Sequence, residues 1–191
     1  MCSAELITGL KGHFQALARY NASANHRLYA ACALLDDGAL RQPRGAFFGS
    51  ILGTLNHLLV GDTIWMARFE GREVPSTGLD AILFDRFNAL ASARLAMDAR
   101  IERFMARLTP EFLAGSIRYI NNEGRLFDDR LSLLLPHFFN HQTHHRGQVH
   151  TLLTQAGVSD PPVLDLHRVL KPDPYQDRPE PPSTGIIAPV M

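Results

Sequence analysis

Five of the nine histidines in this chain fall within fourteen residues: His137, His141, His144, His145 and His150, in the run Pro136-His-Phe-Phe-Asn-His-Gln-Thr-His-His-Arg-Gly-Gln-Val-His150. Neutral imidazole is the commonest protein ligand for transition metals. If the run is helical, His141 and His145 are four residues apart and project from one face, one turn above the other, so both can reach one ion. A metal site needs more than two ligands, and a third must come from elsewhere. Outside the run the chain offers His13, His26, His57 and His167. His57 is the best candidate, because Gly53 and Gly61 lie four residues to either side of it. Each glycine inside a helix costs roughly 1 kcal/mol against alanine. That cost makes sense where room is needed, for a close helix contact or for a ligand above the imidazole. Three histidines from two helices with an open fourth position is the pattern of a catalytic site rather than a closed structural one.

The remaining polar candidates have bland readings beside the chemical ones. His144 is about 100° around the helix from His145, and His137 shares the face of His141 one turn earlier, where it could line a pocket mouth. His13, His26, His150 and His167 read as ordinary surface or interface residues. Asp62 interrupts an apolar stripe just past His57, where a carboxylate needs a partner. A charge partner such as Arg146 is the structural reading, and a base near the metal the chemical one. Arg146 could equally lie on the surface or anchor an anionic substrate. Tyr20 is either core packing or a hydrogen-bond donor reaching the pocket from the first helix. Gly147 reads as a close-packing position, Gln148 as a hydrogen-bonding residue within the bundle, and Asn56 and Asn140 as residues that orient a loop or bond across helices.

These side chains need helices to position them. Apolar residues at Leu6, Leu10, Phe14, Leu17, Tyr20, Leu28, Ala31 and Leu35 predict an amphipathic helix over about Ala4 to Leu35, ended by Asp36-Asp37-Gly38. After a loop with Pro43 and Gly45, a second helix is expected from Phe47 or Ser50 to Glu70, and a third from Leu79 or Phe84 to Leu108 with Arg and Asp on its outer face. The period then changes. Ser116 to Ile120 alternates, Asn121 to Gly124 is a turn, and Arg125 to Asp129 returns, which predicts a small hairpin. A fourth helix runs from Leu131 or Pro136 to Gln155, with Gly157 closing it. The last 34 residues hold eight of the twelve prolines and exclude a long helix. In that tail Leu164, Leu166, Val169 and Leu170 are placed to pin it to the body, and the stretch after Pro172 is expected to be extended or disordered. The expectation is therefore a mainly α four-helix bundle over residues 1–157 and a Pro-rich tail over 158–191 packing partly upon it.

Composition narrows the partners. Lys plus Arg equals Asp plus Glu at 19 each, so net charge is zero with His neutral, and the basic residues are scattered. No global field favours nucleic acid or an anionic membrane. No apolar run is long enough to span a bilayer and no signal-type segment opens the chain, so a cytoplasmic location is expected. Cys2 and Cys32 would sit at opposite ends of a helix about 45 Å long, which rules out a bridge between them.

The run Phe48-Gly-Ser-Ile-Leu-Gly-Thr-Leu-Asn-His57-Leu-Leu-Val-Gly-Asp62-Thr-Ile-Trp65, with Asn140-His141-Gln-Thr-His-His145-Arg146-Gly147-Gln148, resembles the DinB-like family of metalloenzymes. Tyr20-Asn21 with Asn25 and Leu28 is similar to that family's opening helix, and the resemblance covers about residues 10 to 157. It implies a four-helix bundle, often dimeric, with a divalent ion such as zinc or nickel on His57, His141 and His145. Iron and cobalt suit three imidazoles almost as well. The family contains bacillithiol-dependent S-transferases, a mycothiol-dependent maleylpyruvate isomerase, hydrolases and members without assigned activity, so fold and metal do not select the reaction. An ion held by three neutral imidazoles keeps its charge and an open position, which would lower the pKa of a bound water toward about 7 or activate a thiolate. Two readings follow: an enzyme that transfers a low-molecular-weight thiol to, or hydrolyses, a small-molecule substrate, and a non-catalytic stress-response dimer locked by its metal.

Overall fold

An amphipathic helix cannot bury its apolar stripe alone, and four such helices here bury theirs against one another. The computed structural model describes residues 2–121 and 123–170. Its long helices are α1 (Cys2–Cys32), α3 (Ile51–Phe69), α4 (Phe87–Ala106) and α6 (Leu131–Gln155), with short helices α2 (Asp37–Arg41), α5 (Pro110–Ala114) and α7 (Leu166–Leu170) between or after them. Helix α1 packs on α4 and α6, and α3 packs on the same two, so α1 and α3 face each other across a diagonal. The core runs through Phe14 and Leu28 of α1, Leu55 and Met66 of α3, Leu90 and Ile101 of α4 and Leu135 and Phe138 of α6. A two-stranded antiparallel hairpin, β1 (Ser116–Ile120) and β2 (Leu126–Arg130), stands directly before α6 and pairs Ile117 with Asp129 and Tyr119 with Phe127. No helix among the described residues is long and apolar enough to cross a membrane.

The expected fold class is the observed one, and several boundaries differ for local reasons. Helix α1 stops at Cys32, short of Leu35, because Asp36 caps a new helix: its Oδ1 accepts the Ala39 amide at 2.7 Å. Thr109 and Pro110 likewise start α5, a turn that the apolar period does not reveal. Helix α6 begins at the earlier of its two candidate starts, Leu131, and carries Pro136 in its second turn. Gly157 closes it in the left-handed region at φ 90°, as expected, with the Val158 amide reaching back to the Leu153 carbonyl. Among its described residues the Pro-rich tail forms a helix of five residues, α7, where Val169 packs on Tyr20 and Ala24 beside Leu164 and Leu170. The stretch after Pro172 lies outside the described residues.

The largest departure concerns the third long helix. It begins at Phe87, not at Leu79 or Phe84, and residues 78–86 cross the outside of α3 as a strap. Asn56 holds them there. Its Nδ2 donates to the Phe84 carbonyl at 3.0 Å while its Oδ1 accepts the Phe84 amide at 2.9 Å, the pairing that a neighbouring strand would make. Asn56 is fully buried, and its Nδ2 also donates to the Leu52 carbonyl at 3.0 Å. Replacing it with alanine removes two cross-segment bonds worth about 1 kcal/mol each. Asn56→Ala is expected to cost about 2 kcal/mol in urea unfolding and to speed hydrogen exchange at the Phe84 amide; an unchanged Phe84 exchange rate would show that the strap is held otherwise.

Candidate metal centre

Helix α3 is buried nearly all round because it is covered by α4, α6 and the strap, and it carries His57, 4% exposed, inside that cover. Ser50 caps its start, accepting the Gly53 amide at 3.1 Å. A Cβ at Gly53 would stand 2.1 Å from the Phe48 carbonyl, so this glycine lets the entering chain fold back over the first turn. Phe48 then lies flat on the His57 ring, with centroids 3.6 Å apart and planes 15° from parallel, and meets the His145 ring in a T-shaped contact at 5.6 Å. Gly61 makes room in the other direction. A Cβ there would come within 2.8 Å of Cε1 of His141, so the His141 ring lies directly against the α3 backbone. Of the two uses foreseen for these glycines, close contact is the one observed.

The three imidazoles converge through one kind of atom. His57 Nε2 is 3.2 Å from His141 Nε2 and 3.1 Å from His145 Nε2. The opposite nitrogens decide the tautomers. His57 Nδ1 lies 2.7 Å from the Leu79 carbonyl, which can only accept, so Nδ1 carries the proton and Nε2 is bare. His145 Nδ1 donates to Gln148 Oε1 at 2.8 Å, which leaves its Nε2 bare too. Two bare lone pairs 3.1 Å apart have no proton to share and repel one another. A cation between them removes the conflict: nitrogens at about 2.0–2.1 Å from a tetrahedral ion stand about 3.3 Å apart. The donor set, its spacing and its tautomers fit a divalent ion, and His57, His141 and His145 form a group that could hold one.

The electrostatics agree. Burial lowers the His57 imidazole below its ordinary value, although the Leu79 carbonyl pulls the other way. Burial, then the neighbouring His145 and His57, push His141 down to about 3. Burial pushes His145 down to about 4 against the hydrogen bond it donates to Gln148. All three are therefore neutral, ligand-competent bases at pH 7.

The other candidates fall elsewhere. His137 is exposed, edge-on to Trp65 at 5.4 Å and 6.3 Å from His141, at the rim. His144 is exposed, with its Nε2 3.3 Å from Gln148 Nε2. His13, His26 and His167 are exposed and His150 is half-buried. Gly147 is exposed with nothing near its missing Cβ, so it is not a close-packing position. Asn140 is exposed. Asp62 does not pair with Arg146: its Oδ2 meets Arg94 Nη1 at 2.5 Å and its Oδ1 accepts from Gln142 Nε2. Arg146 is buried, not a surface residue. It donates to Asn21 Oδ1, and its guanidinium lies 5.1 Å over the Tyr20 ring. The Tyr20 hydroxyl donates to the Leu164 carbonyl at 2.7 Å, toward the tail.

Sequence reasoning missed Arg94, Asp98, Gln142 and the strap carbonyl. Arg94 and Asp98 were placed on an outer face, yet both are buried. The signal was present, since they occupy the stripe of Leu90, Met97 and Ile101 at helical spacing.

Residues 3–178 match the DinB family, and the chain belongs to it. It is 26% identical over 163 residues to Protein DinB of Bacillus subtilis (strain 168), an alignment that covers 77% of this chain and 88% of that one. The fold is shared with a crystal structure of a DinB-like protein from Bacillus cereus ATCC 10987, at a TM-score of 0.53 and 22% identity, covering 73% of this chain and 90% of that one.

Imidazoles neutral in the fold and titrating near 6.5 when unfolded bind fewer protons in the native state. Stability from His141 and His145 is therefore complete above about pH 6.5 and lost as pH falls through the folded values. In the presence of a chelator, the urea midpoint is expected to drop between pH 7.5 and 4.5, with a flatter profile in His141→Gln; equal profiles would mean that His141 is not held neutral by the fold.

Proposed function

We propose that this chain is a divalent-metal-dependent enzyme whose ion is held by His57, His141 and His145. The observation that supports it is the meeting of three Nε2 atoms, two of them left without protons by the bonds to Leu79 and Gln148. When bound, a divalent ion on three neutral imidazoles supplies Lewis acidity and at least one open position where a water or a thiol is made more acidic. Zinc or nickel suits such a donor set, as do iron and cobalt. The reaction we favour is transfer of a low-molecular-weight thiol to a small electrophile, with hydrolysis of such an electrophile as the nearest alternative.

The chain's own residues serve that chemistry by position. The Leu79 carbonyl and Gln148 fix two ring tautomers, Phe48 keeps water from one face of His57, and the missing side chain of Gly61 admits the His141 ring. In this reading Tyr20, Asp62 and Arg146 are structural, because each is bonded to other protein groups. A second reading also has support: the donors come from α3 and α6, so an ion would cross-link two helices of a non-catalytic protein. A homodimer remains part of the proposal, and sedimentation at micromolar concentration tests it.

Untagged protein is expected to carry close to one metal per chain by elemental mass spectrometry, lost in His57→Ala, His141→Ala and His145→Ala. Absence of metal in reconstituted wild type would end the enzyme reading. Turnover of an electrophile with a thiol only in the loaded protein would favour the enzyme; a large fall in melting temperature on chelation without any turnover would favour the cross-link. Gly61→Ala pushes a methyl into His141 and is expected to weaken metal binding at least about tenfold while the helical circular dichroism is kept. Unchanged affinity would place His141 outside the ligand set.

A further inference from the structure

The two candidate ligands on α6 are each followed directly by a polar residue of another kind. Gln142 follows His141 and Arg146 follows His145, so this second pair lies about 100° around the same helix. Both side chains enter a buried polar cluster that touches all four long helices. Gln142 Nε2 donates to Asp62 Oδ1 on α3, five residues beyond His57. Asp62 Oδ2 meets Arg94 of α4 at 2.5 Å, and Arg94 Nη2 lies 2.8 Å from Asp98 Oδ1. That same oxygen accepts from Asn21 Nδ2 at 3.2 Å and Asn25 Nδ2 at 2.9 Å on α1. The chain closes on α6, where Arg146 donates to Asn21 Oδ1 and, at 3.4 Å, to Asn25 Oδ1. Every member is at most 5% exposed.

We infer that this closed cluster is a rotational lock on α6, with Gln142 and Arg146 acting as positioning residues that bring His141 and His145 onto His57. The inference rests on the metal reading above. Its physical basis is that a helix turns as one body. On a cylinder about 10–12 Å across, a rotation of about 20° sweeps a side-chain tip by roughly 2 Å. That sweep equals a whole metal–nitrogen bond of about 2.0–2.1 Å. Apolar packing tolerates such slips better than a hydrogen-bonded network does, because a buried polar atom pulled off its partner is left unsatisfied. The cluster holds two carboxylates and two guanidinium groups, so its charges balance and its partners are specified pairwise rather than by a net field. Gln142 links the two systems most directly, since its one bond ties the turn after His141 to the α3 turn after His57.

The test is cobalt(II) binding to the full chain, read as the visible d–d spectrum and as the dissociation constant in competition with a chromophoric chelator. Gln142→Met keeps the side-chain length and removes the bond to Asp62. It is expected to alter the d–d bands and raise the dissociation constant about 10–100-fold while the helical circular dichroism is kept. Gln142→Asn, one methylene too short to reach, is a milder substitution that must shift the bands in the same direction if the first variant does not fold. Val149→Ala, buried on the same helix outside the cluster, should lower the melting temperature and leave the spectrum as in wild type. Wild-type bands and affinity in either Gln142 variant would overturn the lock alone. Wild type that binds no cobalt would overturn the metal reading and the lock with it.

Discussion

Imidazole nitrogens brought to hydrogen-bond distance with no proton between them call for a cation among them, and this fold brings three together. His57 and His145 hold bare Nε2 atoms 3.1 Å apart because the Leu79 carbonyl and Gln148 have claimed the other ring nitrogens. Much of the surrounding structure keeps that arrangement in place. Phe48 presses on one ring, the bare backbone at Gly61 receives another, and burial keeps all three imidazoles neutral. In an interior of ordinary side chains such crowding of like dipoles would relax. Here the His57 ring is stacked on Phe48 and bonded to the Leu79 carbonyl, and the His141 ring lies against the α3 backbone.

The same economy explains why α3 carries so much polarity. Thr54, Asn56, His57 and Asp62 all lie on a helix with 15 of its 19 residues buried. A buried polar group without a partner costs about 1–3 kcal/mol, and these four are each bonded. Asn56 uses its amide to hold a strap, His57 uses that strap for its tautomer, and Asp62 spends both oxygens on α4 and α6. Removing one partner of a buried ion pair such as Asp62 and Arg94 typically destabilises by about 3–5 kcal/mol. A replacement by well-packed apolar residues could be as stable, so the pair is better understood as specifying one helix arrangement than as raising stability.

How much of this could be read from residues alone depended on where each signal lies. The helical period placed the four long helices, since burial of a stripe is a one-dimensional pattern, and the hairpin followed from its alternation and the turn residues from Asn121 to Gly124. His141 and His145 were legible because ligand spacing on a helix is also one-dimensional, and the glycines around His57 marked a crowded place on another helix. Arg94 and Asp98 were misplaced because a charged pair reads as solvent-facing by default, although their phase on α4 was that of Leu90 and Ile101. The partner of Asp62 depended on which helices are neighbours, which no spacing within one helix reveals. The strap was only half legible, since the apolar pattern allows the third long helix to start at Leu79 or at Phe84; what holds residues before Phe87 out of the helix is a side chain from another segment, Asn56.

The acceptor for His57 belongs to the main chain at Leu79, and Leu79 itself is 46% exposed. Every amino acid has that carbonyl. The identity of residue 79 is thus free to drift over evolutionary time, whereas the number of residues between it and the Asn56 clamp at Phe84 is not. Insertions and deletions in this stretch, rather than substitutions, are the changes the centre is built to resist least. In an alignment of relatives, the strap would then stand out by constant length and not by constant letters, a signature that methods scoring residue identity pass over.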